Sequence, residues 1–430
     1  MTASLIGLGA LMALLFFGLP LGFALLLVGF FGLAIIRGLE PALTVVASEI
    51  IEIATNEGFA VLPLFILMGA FVNRAALSDD LYDASNAWLG HFRGGLAMAT
   101  VAACGGFAAI SGSSIATSAT MAKVAIPSMR KYKYNDSLAA GTVAAGGTMG
   151  ILIPPSAALI VYGILTETDI AALFIGGIFP GILTITLYIL VISVVTRIWP
   201  HLGPPADASS WLERITSLGK IWGVLALFFL ILGGIFFGLF TPSEAGGIGA
   251  TGALAFSIGR RKLNLRQFIA ALIEAGRTTA MIFTVAFGAL ILNQFVNVAG
   301  LPSATSTFIN DLGLEPMGAL LVILSFYIVL GMFIEGYSMI FLTVPIFVPV
   351  VAALGFDLVW FGIVLVMVVE ISLITPPIGL NVFVMKSMLP DVPLYAIFKG
   401  IVPFFCADIT RVLLVVFFPP IVMFLPELMG

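Results

Sequence analysis

Long apolar runs, interrupted by short polar stretches, make up most of the chain. A membrane-spanning helix needs about 20 apolar residues, with about 17 as the lower limit. The pattern therefore predicts an all-α polytopic membrane protein with ten to twelve transmembrane helices. The predicted spans lie near residues 3–19, 20–36, 58–76, 137–166, 171–196, 221–240, 242–259, 278–298, 357–385 and 400–424.

Two further stretches are too polar to be ordinary spans and are predicted to be re-entrant helical hairpins. Residues 94–129 contain the Gly/Ser-rich segment CGGFAAISGSSIATSAT and have basic residues at both flanks. A segment that leaves a basic flank and returns to one should not cross the membrane. Its tip is expected near Ser111–Thr117. The second hairpin, 317–351, is expected to have FIEGYSMIFLTVP at its tip.

Two of the predicted spans contain adjacent prolines, in GGTMGILIPPSAALIVYG within 137–166 and in ITPPIGLNVFV within 357–385. Proline removes a backbone donor and clashes with the preceding helical turn. Non-helical backbone survives at membrane depth only where protein buries it or where it lines a cavity. Both spans are therefore predicted to be broken helices whose free carbonyl and amide ends can bind ions.

The same features occur twice at a nearly constant spacing. FVNRAAL begins at residue 71 and FVNVAGL at residue 295, an offset of 224. The proline pair recurs at an offset of 222, as do two single prolines, Pro20 with Pro242 and Pro127 with Pro349. We therefore predict two structural repeats, 1–200 and 220–430, joined by a cytoplasmic linker, 201–219.

Charges indicate that the two repeats are inverted. Lys and Arg bias short loops to the cytoplasm, and among these corresponding loops they occur only in those of the first repeat, around 74–93 and 130–133. The matching loops, around 297–316 and 354–357, contain acidic residues instead. Inverted repeats are typical of secondary transporters, which bind substrate near the membrane midplane. The loop charges are Arg74, Arg93, Arg130, Lys131 and Lys133 in repeat one, and Asp311, Glu315 and Asp357 in repeat two.

Composition excludes several other classes. The chain is 61% hydrophobic and 9% charged, with a mean hydropathy of +1.19, whereas soluble domains have about 25% charged residues. The two cysteines lie in separate apolar segments, which argues against a disulfide framework or a zinc site. HExxH, GxSxG and GK[ST] motifs are absent. We expect no enzyme activity, no cofactor and no nucleic acid partner. The N-terminus is expected to be a retained span, and amphipathic segments near 41–58 and 260–276 are expected to lie in the membrane interface.

The hairpin tips and helix breaks, placed together, would form two polar sites made of neutral oxygens. Such sites suit Na⁺ better than a proton, which usually needs a titratable relay, and glycines allow the backbones to approach. The candidate Na⁺-binding residues are Ser111, Gly112, Ser113, Ser114, Thr117, Gly146, Gly147, Gly150, Gly336, Ser338, Thr375, Pro376 and Gly379.

Substrate contacts are expected at the same breaks. Three carboxylates in apolar surroundings, Glu335, Glu370 and Glu244, are further functional candidates because charge within a membrane is costly. Alternatively, each lies in a water-filled vestibule or near the interface. The candidate substrate-binding residues are Pro154, Pro155, Ser156, Glu335, Tyr337, Pro377 and Asn381.

With the segments GILIPPS, SGSSIATSAT, ITPPIGLNVFV and TPSEAGG, nearly the whole chain resembles the large membrane subunit of tripartite ATP-independent periplasmic (TRAP) transporters. The resemblance implies a multi-pass carrier of the bacterial inner membrane for organic acids such as C4-dicarboxylates or sialic acid. It also implies Na⁺ coupling, an elevator motion, a small four-span membrane subunit and a periplasmic substrate-binding protein. The family often has Asp where this chain has Glu335. No N-terminal extension is long enough for a fused small subunit, so that partner is expected to be a separate polypeptide.

Alternatives from other classes make different predictions. A channel would need a continuous polar path, and a membrane enzyme would need a catalytic set, which two histidines and isolated serines do not supply. A stand-alone cation-coupled carboxylate carrier of related fold would work without a binding protein.

Overall fold

The computed structural model describes residues 2–75, 77–311 and 313–429, and this part of the chain is helical with no strand. The prediction of an all-α protein is confirmed. The helices are α1 Thr2–Phe16, α2 Leu21–Arg37, α3 Leu39–Thr55, α4 Glu57–Arg74, α5 Leu77–Leu89, α6 Gly95–Ser111, α7 Ser114–Lys131, α8 Asp136–Thr148, α9 Ala157–Thr166, α10 Ile170–Ile198, α11 Trp211–Phe236, α12 Pro242–Gly259, α13 Leu265–Val298, α14 Leu301–Asp311, α15 Pro316–Gly331, α16 Gly336–Ala353, α17 Leu358–Ser372, α18 Leu380–Met388, α19 Leu394–Phe417 and α20 Pro420–Glu427.

Among the described residues, six helices are long and apolar enough to cross a membrane: α4, α10, α11, α13, α16 and α19. Six shorter apolar helices of 10–17 residues accompany them: α1, α2, α6, α9, α15 and α17. Of these, α6 packs on the following helix α7, and α15 packs on α16. The number of complete crossings stays a prediction.

Two of the loops expected from sequence contain helices. Residues 74–93 include α5, which buries Leu77, Leu81 and Tyr82 on one face because its apolar residues recur at helical spacing. The matching region contains α14. Similarly, α11 begins at Trp211, so residues 211–219 of the expected linker are helical.

The two amphipathic segments differ in a way that the sequence pattern does not show. The first forms a separate helix, α3, because Asn56 ends it and caps α4 by accepting a hydrogen bond from Gly58 N at 2.8 Å. The second begins at Leu265 and continues without interruption into the span that follows, forming the 34-residue α13.

Helix starts recur along the chain at the spacing of the sequence repeat. The second helix of each hairpin, α7 or α16, begins at residue 114 or 336, respectively. The first half of each broken span, α8 or α17, begins at residue 136 or 358. Both offsets are 222. The upside-down relation of the two halves stays a prediction from the loop charges.

One group of helices is built around the pair α2 and α13, which cross at very close range. A Cβ added at Gly29 would lie 2.6 Å from Leu292 N, and one at Gly22 would lie 2.7 Å from Thr284 O. Small residues thus allow direct backbone contact, as in other membrane helix pairs. Helices α4, α11 and α12 pack against this pair or against one another.

A second group contains both hairpins and both broken spans. Helix α8 lies along α19, where Gly141 and Gly400 bring the two backbones together, and α18 packs on α7 and α8. The Asn381 side-chain amide donates to Ala144 O at 3.1 Å, which joins the second broken span to the first. Several helices connect the groups: α5 packs on both α6 and α11, α4 packs on α6 and α9, and α13 packs on α16.

The linker packs against the basic loops of the first repeat. Gly94 N donates to Gly203 O at 2.9 Å, and the Tyr132 hydroxyl donates to Asp207 at 3.0 Å. Nearby, Arg130 pairs with Asp136 at 2.8 Å and with Asp391 at 2.6 Å. The Arg130 guanidinium holds the pKa of Asp391 below its usual value. Linker and basic loops therefore lie at the same end of the molecule.

Candidate functional site

The first hairpin turns through Gly112 and Ser113. Gly112 has a φ of 60°, in the left-handed region that glycine adopts without steric cost. Ser113 caps α7, and its hydroxyl accepts a hydrogen bond from Ala116 N at 3.3 Å. The Thr117 hydroxyl donates to Ser113 O at 2.7 Å and lies 2.9 Å from the Ser111 hydroxyl. The tip therefore brings three hydroxyl oxygens and a carbonyl oxygen together.

This tip packs directly on the first broken span. A Cβ added at Gly150 would lie 2.5 Å from Ser113 O and 2.9 Å from Ser114 N. Gly147 is in equally close contact with Ser118 of α7. Since neither position has room for a side chain, the two glycines allow the backbones of tip and break to touch.

The first break separates α8 from α9 and is buried over its whole length. A 3₁₀ turn, Met149–Ile151, follows α8, and the Pro154–Pro155 peptide bond is cis. The Ser156 hydroxyl donates to Ile151 O and also caps α9. This serine therefore satisfies backbone groups that the interruption leaves without helical partners.

The second hairpin tip is organised by a carboxylate. Glu335 caps α16, and its Oε2 accepts hydrogen bonds from Ser338 N at 3.1 Å and Ser338 Oγ at 3.0 Å. Gly336 faces α17, where an added Cβ would lie 2.8 Å from Val369 Cγ1. The neighbour here is the end of a side chain, so this contact is less restrictive than that at Gly150.

The second break separates α17 from α18 and is partly open. Asn381 N donates across it to Leu373 O at 3.0 Å, and the Thr375 hydroxyl donates to Ile371 O at 2.6 Å. The Pro376–Pro377 bond is also cis. Unlike the first break, this one exposes residues 376–378.

Both tips and both breaks meet around one cavity. The Tyr337 hydroxyl of the second tip donates to Gly112 O of the first at 3.5 Å. The cavity between them has a volume of about 30 Å³, enough for one or two water-sized species, since a water needs about 10–15 Å³. It is lined by Ser113, Ser114, Ile115, Ile151, Ala158, Glu335, Gly336, Tyr337, Val369, Leu373 and Leu380.

A larger cavity of about 330 Å³ lies on the other side of the second break, between it and α19. Its walls are mainly apolar, with Thr375 and Pro376 on one side and Tyr395 and Phe398 on the other. Among the residues that the structure describes, Lys399 is the only charged one in its lining. Its volume lies at the lower end of the range for small-molecule sites.

The structure thus brings most of the sequence-predicted site residues together, although their roles are still predictions. Gly146 instead faces the buried Cys104, and Pro154 packs on Gly177 of α10. Glu244 lies outside the site, because it forms a capping box with Thr241 at the start of α12. Asn381 of α18 is fully buried against α8, and its Oδ1 has no hydrogen-bond partner among the described residues.

Two buried charges were missed by sequence reasoning. Arg411 and Asp408 lie one turn apart on α19, are fully buried, and join Glu370 of α17 in an ionic cluster. The signal was present in the segment ADITR, since charges inside an apolar helix mark pairs or functional sites.

Comparisons with known proteins match nearly the whole chain to one family. The family described as "Tripartite ATP-independent periplasmic transporter, DctM component" matches residues 8–421. The C4-dicarboxylate TRAP transporter large permease of Pseudomonas aeruginosa is 36% identical, over 91% of this chain and 94% of its own. The sialic acid TRAP transporter large permease of Vibrio cholerae is 31% identical, over 97% of both chains.

Among solved structures, the YdaH transporter of Alcanivorax borkumensis has a similar fold. The TM-score is 0.62 with 17% identity, covering 90% of both chains. At this identity the likeness concerns the fold alone. The long permease matches and the family match together identify this membrane protein as a member of the DctM-component family of tripartite ATP-independent periplasmic transporters.

Proposed function

We propose that the protein carries out Na⁺-coupled, secondary active uptake of a small organic acid anion. The observation that carries the proposal is the meeting of two hairpin tips and two broken helices around one small cavity. Neutral hydroxyl and carbonyl oxygens are the ligands that hard monovalent cations take at broken membrane helices. Within the described part of the chain, Glu335 is the only carboxylate that lines the cavity, and it can compensate part of a bound cation's charge.

Na⁺ coupling is energetically adequate for accumulation. One positive charge moving inward gains about 2.3 kcal/mol per 100 mV. Accumulating a neutral solute 100-fold costs about 2.7 kcal/mol. When the substrate is an anion, additional Na⁺ must be co-transported for net positive charge to move inward. The two pairs of hairpin tip and helix break could bind these additional ions.

The substrate class is proposed from chemistry and from the relatives. C4-dicarboxylates and sialic acid, named for the two permeases above, both carry carboxylates. In this chain Lys399 offers a cation beside Thr375 and Pro376 in the larger cavity. A carboxylate that entered there would lie near the second break and its Na⁺ ligands.

We further propose an elevator motion, a bacterial inner-membrane location and two protein partners. The hairpins and broken spans form one packed group, and the α2–α13 group forms another, which suits movement of the first against the second. The partners would be a small four-span membrane subunit and a periplasmic substrate-binding protein that delivers the anion.

The partner requirement can be tested by reconstitution. Proteoliposomes with this chain alone, with the small subunit, and with both subunits plus the binding protein would be compared for uptake of labelled organic acids. We expect uptake only from the complete set. Equal uptake by the chain alone would favour a stand-alone carboxylate carrier, and single-channel currents would favour a channel.

A further inference from the structure

Away from the small cavity, five polar side chains form a fully buried cluster between α10, α17 and α19. Arg411 Nη1 lies 2.7 Å from Glu370 Oε2, and Arg411 Nη2 lies 3.2 Å from Asp408 Oδ1. Arg411 also donates to the Thr184 hydroxyl, and the Tyr188 hydroxyl donates to Asp408 Oδ2 at 2.8 Å. All five side chains are inaccessible to solvent.

The charges in this cluster do not balance. It contains two carboxyl groups but one guanidinium, and the guanidinium stays protonated in proteins. With both carboxyl groups ionised, the cluster would hold one net negative charge in an interior that is inaccessible to solvent. An uncompensated buried charge is strongly destabilising, so one further positive charge is required.

The hydrogen bonds indicate where that charge resides. Both oxygens of Asp408 have a positive or hydrogen-donating neighbour, whereas Glu370 Oε1 has no donor among the described residues. The Thr148 hydroxyl lies beside the Glu370 carboxyl group, but it donates its own hydrogen to Ala145 O at 2.8 Å. Glu370 Oε1 is therefore the carboxyl oxygen of the cluster that neither a cation nor a hydrogen-bond donor compensates among the described residues, and a proton bound there would balance the charge.

We propose that Glu370 is a proton-binding site and that it is a neutral carboxylic acid in the folded protein. Helix α17 is buried from Trp360 to Ser372, so the proton would be enclosed on every side. Since Thr148 ends α8, the Glu370 carboxyl group lies beside the first break and on the helix that leads into the second. The proposal does not depend on Na⁺ coupling or on the identity of the substrate.

The other titratable groups on helices packed against α17 are engaged elsewhere or exposed. Tyr162 of α9 donates to Leu358 O, and Tyr337 of α16 donates to Gly112 O. Glu335 of α16 accepts from Ser338. The buried Tyr327 of α15 lies beside Thr343. The groups exposed to solvent are Glu427 of α20, Arg197 of α10, and Tyr395, Lys399 and Cys406 of α19. Charge balance at Glu370 therefore depends on Arg411, Asp408 and Tyr188.

Infrared spectroscopy of the purified protein at neutral pH tests the proposal, because a protonated carboxyl group has a C=O stretch that carboxylates lack. The spectrum of Glu370→Gln, subtracted from that of the unaltered protein, should show one carboxylic-acid band. Asp408→Asn should lose the same band, because one carboxylate and one guanidinium then balance without a proton. Glu335→Gln should keep it.

Each outcome bears on the proposal. Absence of the band from the unaltered protein, or its persistence in Glu370→Gln, would overturn it. Persistence in Asp408→Asn would show that charge balance does not place the proton. Glu370→Gln has the shape of the neutral acid and should keep the melting temperature. If it fails to fold, the Asp408→Asn spectrum still gives a result.

Discussion

At the scale of single residues, the lack of a side chain at glycine positions is as important for the packing of the site as the side chains that are present. Gly150 allows Ser113 O to approach the first break, and an added methyl group would meet that backbone oxygen at 2.5 Å. The sequence indicated the close approach, because glycines cluster on the broken span opposite a polar hairpin. It could not indicate which neighbour each glycine meets, since that depends on the rotation of packed helices.

We predict that Gly150→Ala abolishes uptake and that Gly336→Ala only reduces it. The first meets backbone atoms that cannot move separately, whereas the second meets Val369 Cγ1, which can rotate. Gly276→Ala is the matched control, because its added methyl group has no atom within 4 Å. Initial uptake rates in proteoliposomes would decide. Equal activity of Gly150→Ala and the control would contradict a site built on tip–break contact.

Hydroxyl groups at the tips should contribute individually but modestly. Ser113→Ala or Thr375→Ala removes one neutral oxygen, which costs about 1–3 kcal/mol if it ligates a cation. The half-saturating Na⁺ concentration should therefore rise roughly five- to 150-fold. Thr186→Ala is the control, because this exposed threonine also donates to a helical carbonyl, Ile182 O. An unchanged Na⁺ titration in both tip variants would remove these hydroxyls from the cation site.

At the scale of elements, prolines and glycines occur where the structure interrupts its helices. The structure interrupts its helices at residues 112–113, 149–156, 332–335 and 373–379, and starts α12 at Pro242, because proline and glycine act through local backbone geometry. The continuous α13 could not be predicted from amphipathicity alone, since its counterpart with similar periodicity is interrupted at Asn56. The convergence of two predicted polar sites on one cavity required packing between distant parts of the chain.

Two substitutions of Glu335, which caps α16, distinguish its role as a helix cap from the effect of its charge. Glu335→Gln keeps an oxygen that can cap the helix but removes the charge, whereas Glu335→Ala removes both. We expect Glu335→Ala to destabilise the protein by about 0.5–2 kcal/mol and Glu335→Gln to keep its melting temperature. Both variants should raise the half-saturating Na⁺ concentration. If Glu335→Gln leaves the Na⁺ titration unchanged, Glu335 acts as a cap alone.

At the scale of the whole molecule, the charge asymmetry of the loops predicts that the two halves are inverted. Lys131 and Ala353 are exposed and end the corresponding helices α7 and α16. Cysteines at these positions, with the exposed native Cys406 replaced by alanine, should react with a membrane-impermeant maleimide from opposite sides. Labelling of both from one side would contradict the inverted arrangement.

The dependence of uptake on each cation gradient tests the central claim most directly. The complete transporter would be reconstituted, and organic acid uptake measured with an inward Na⁺ gradient at equal pH, then with an inward proton gradient at equal Na⁺. Sites made mainly of neutral oxygens predict accumulation in the first condition and none in the second. Uptake that ignores Na⁺ and follows the proton gradient would contradict the account.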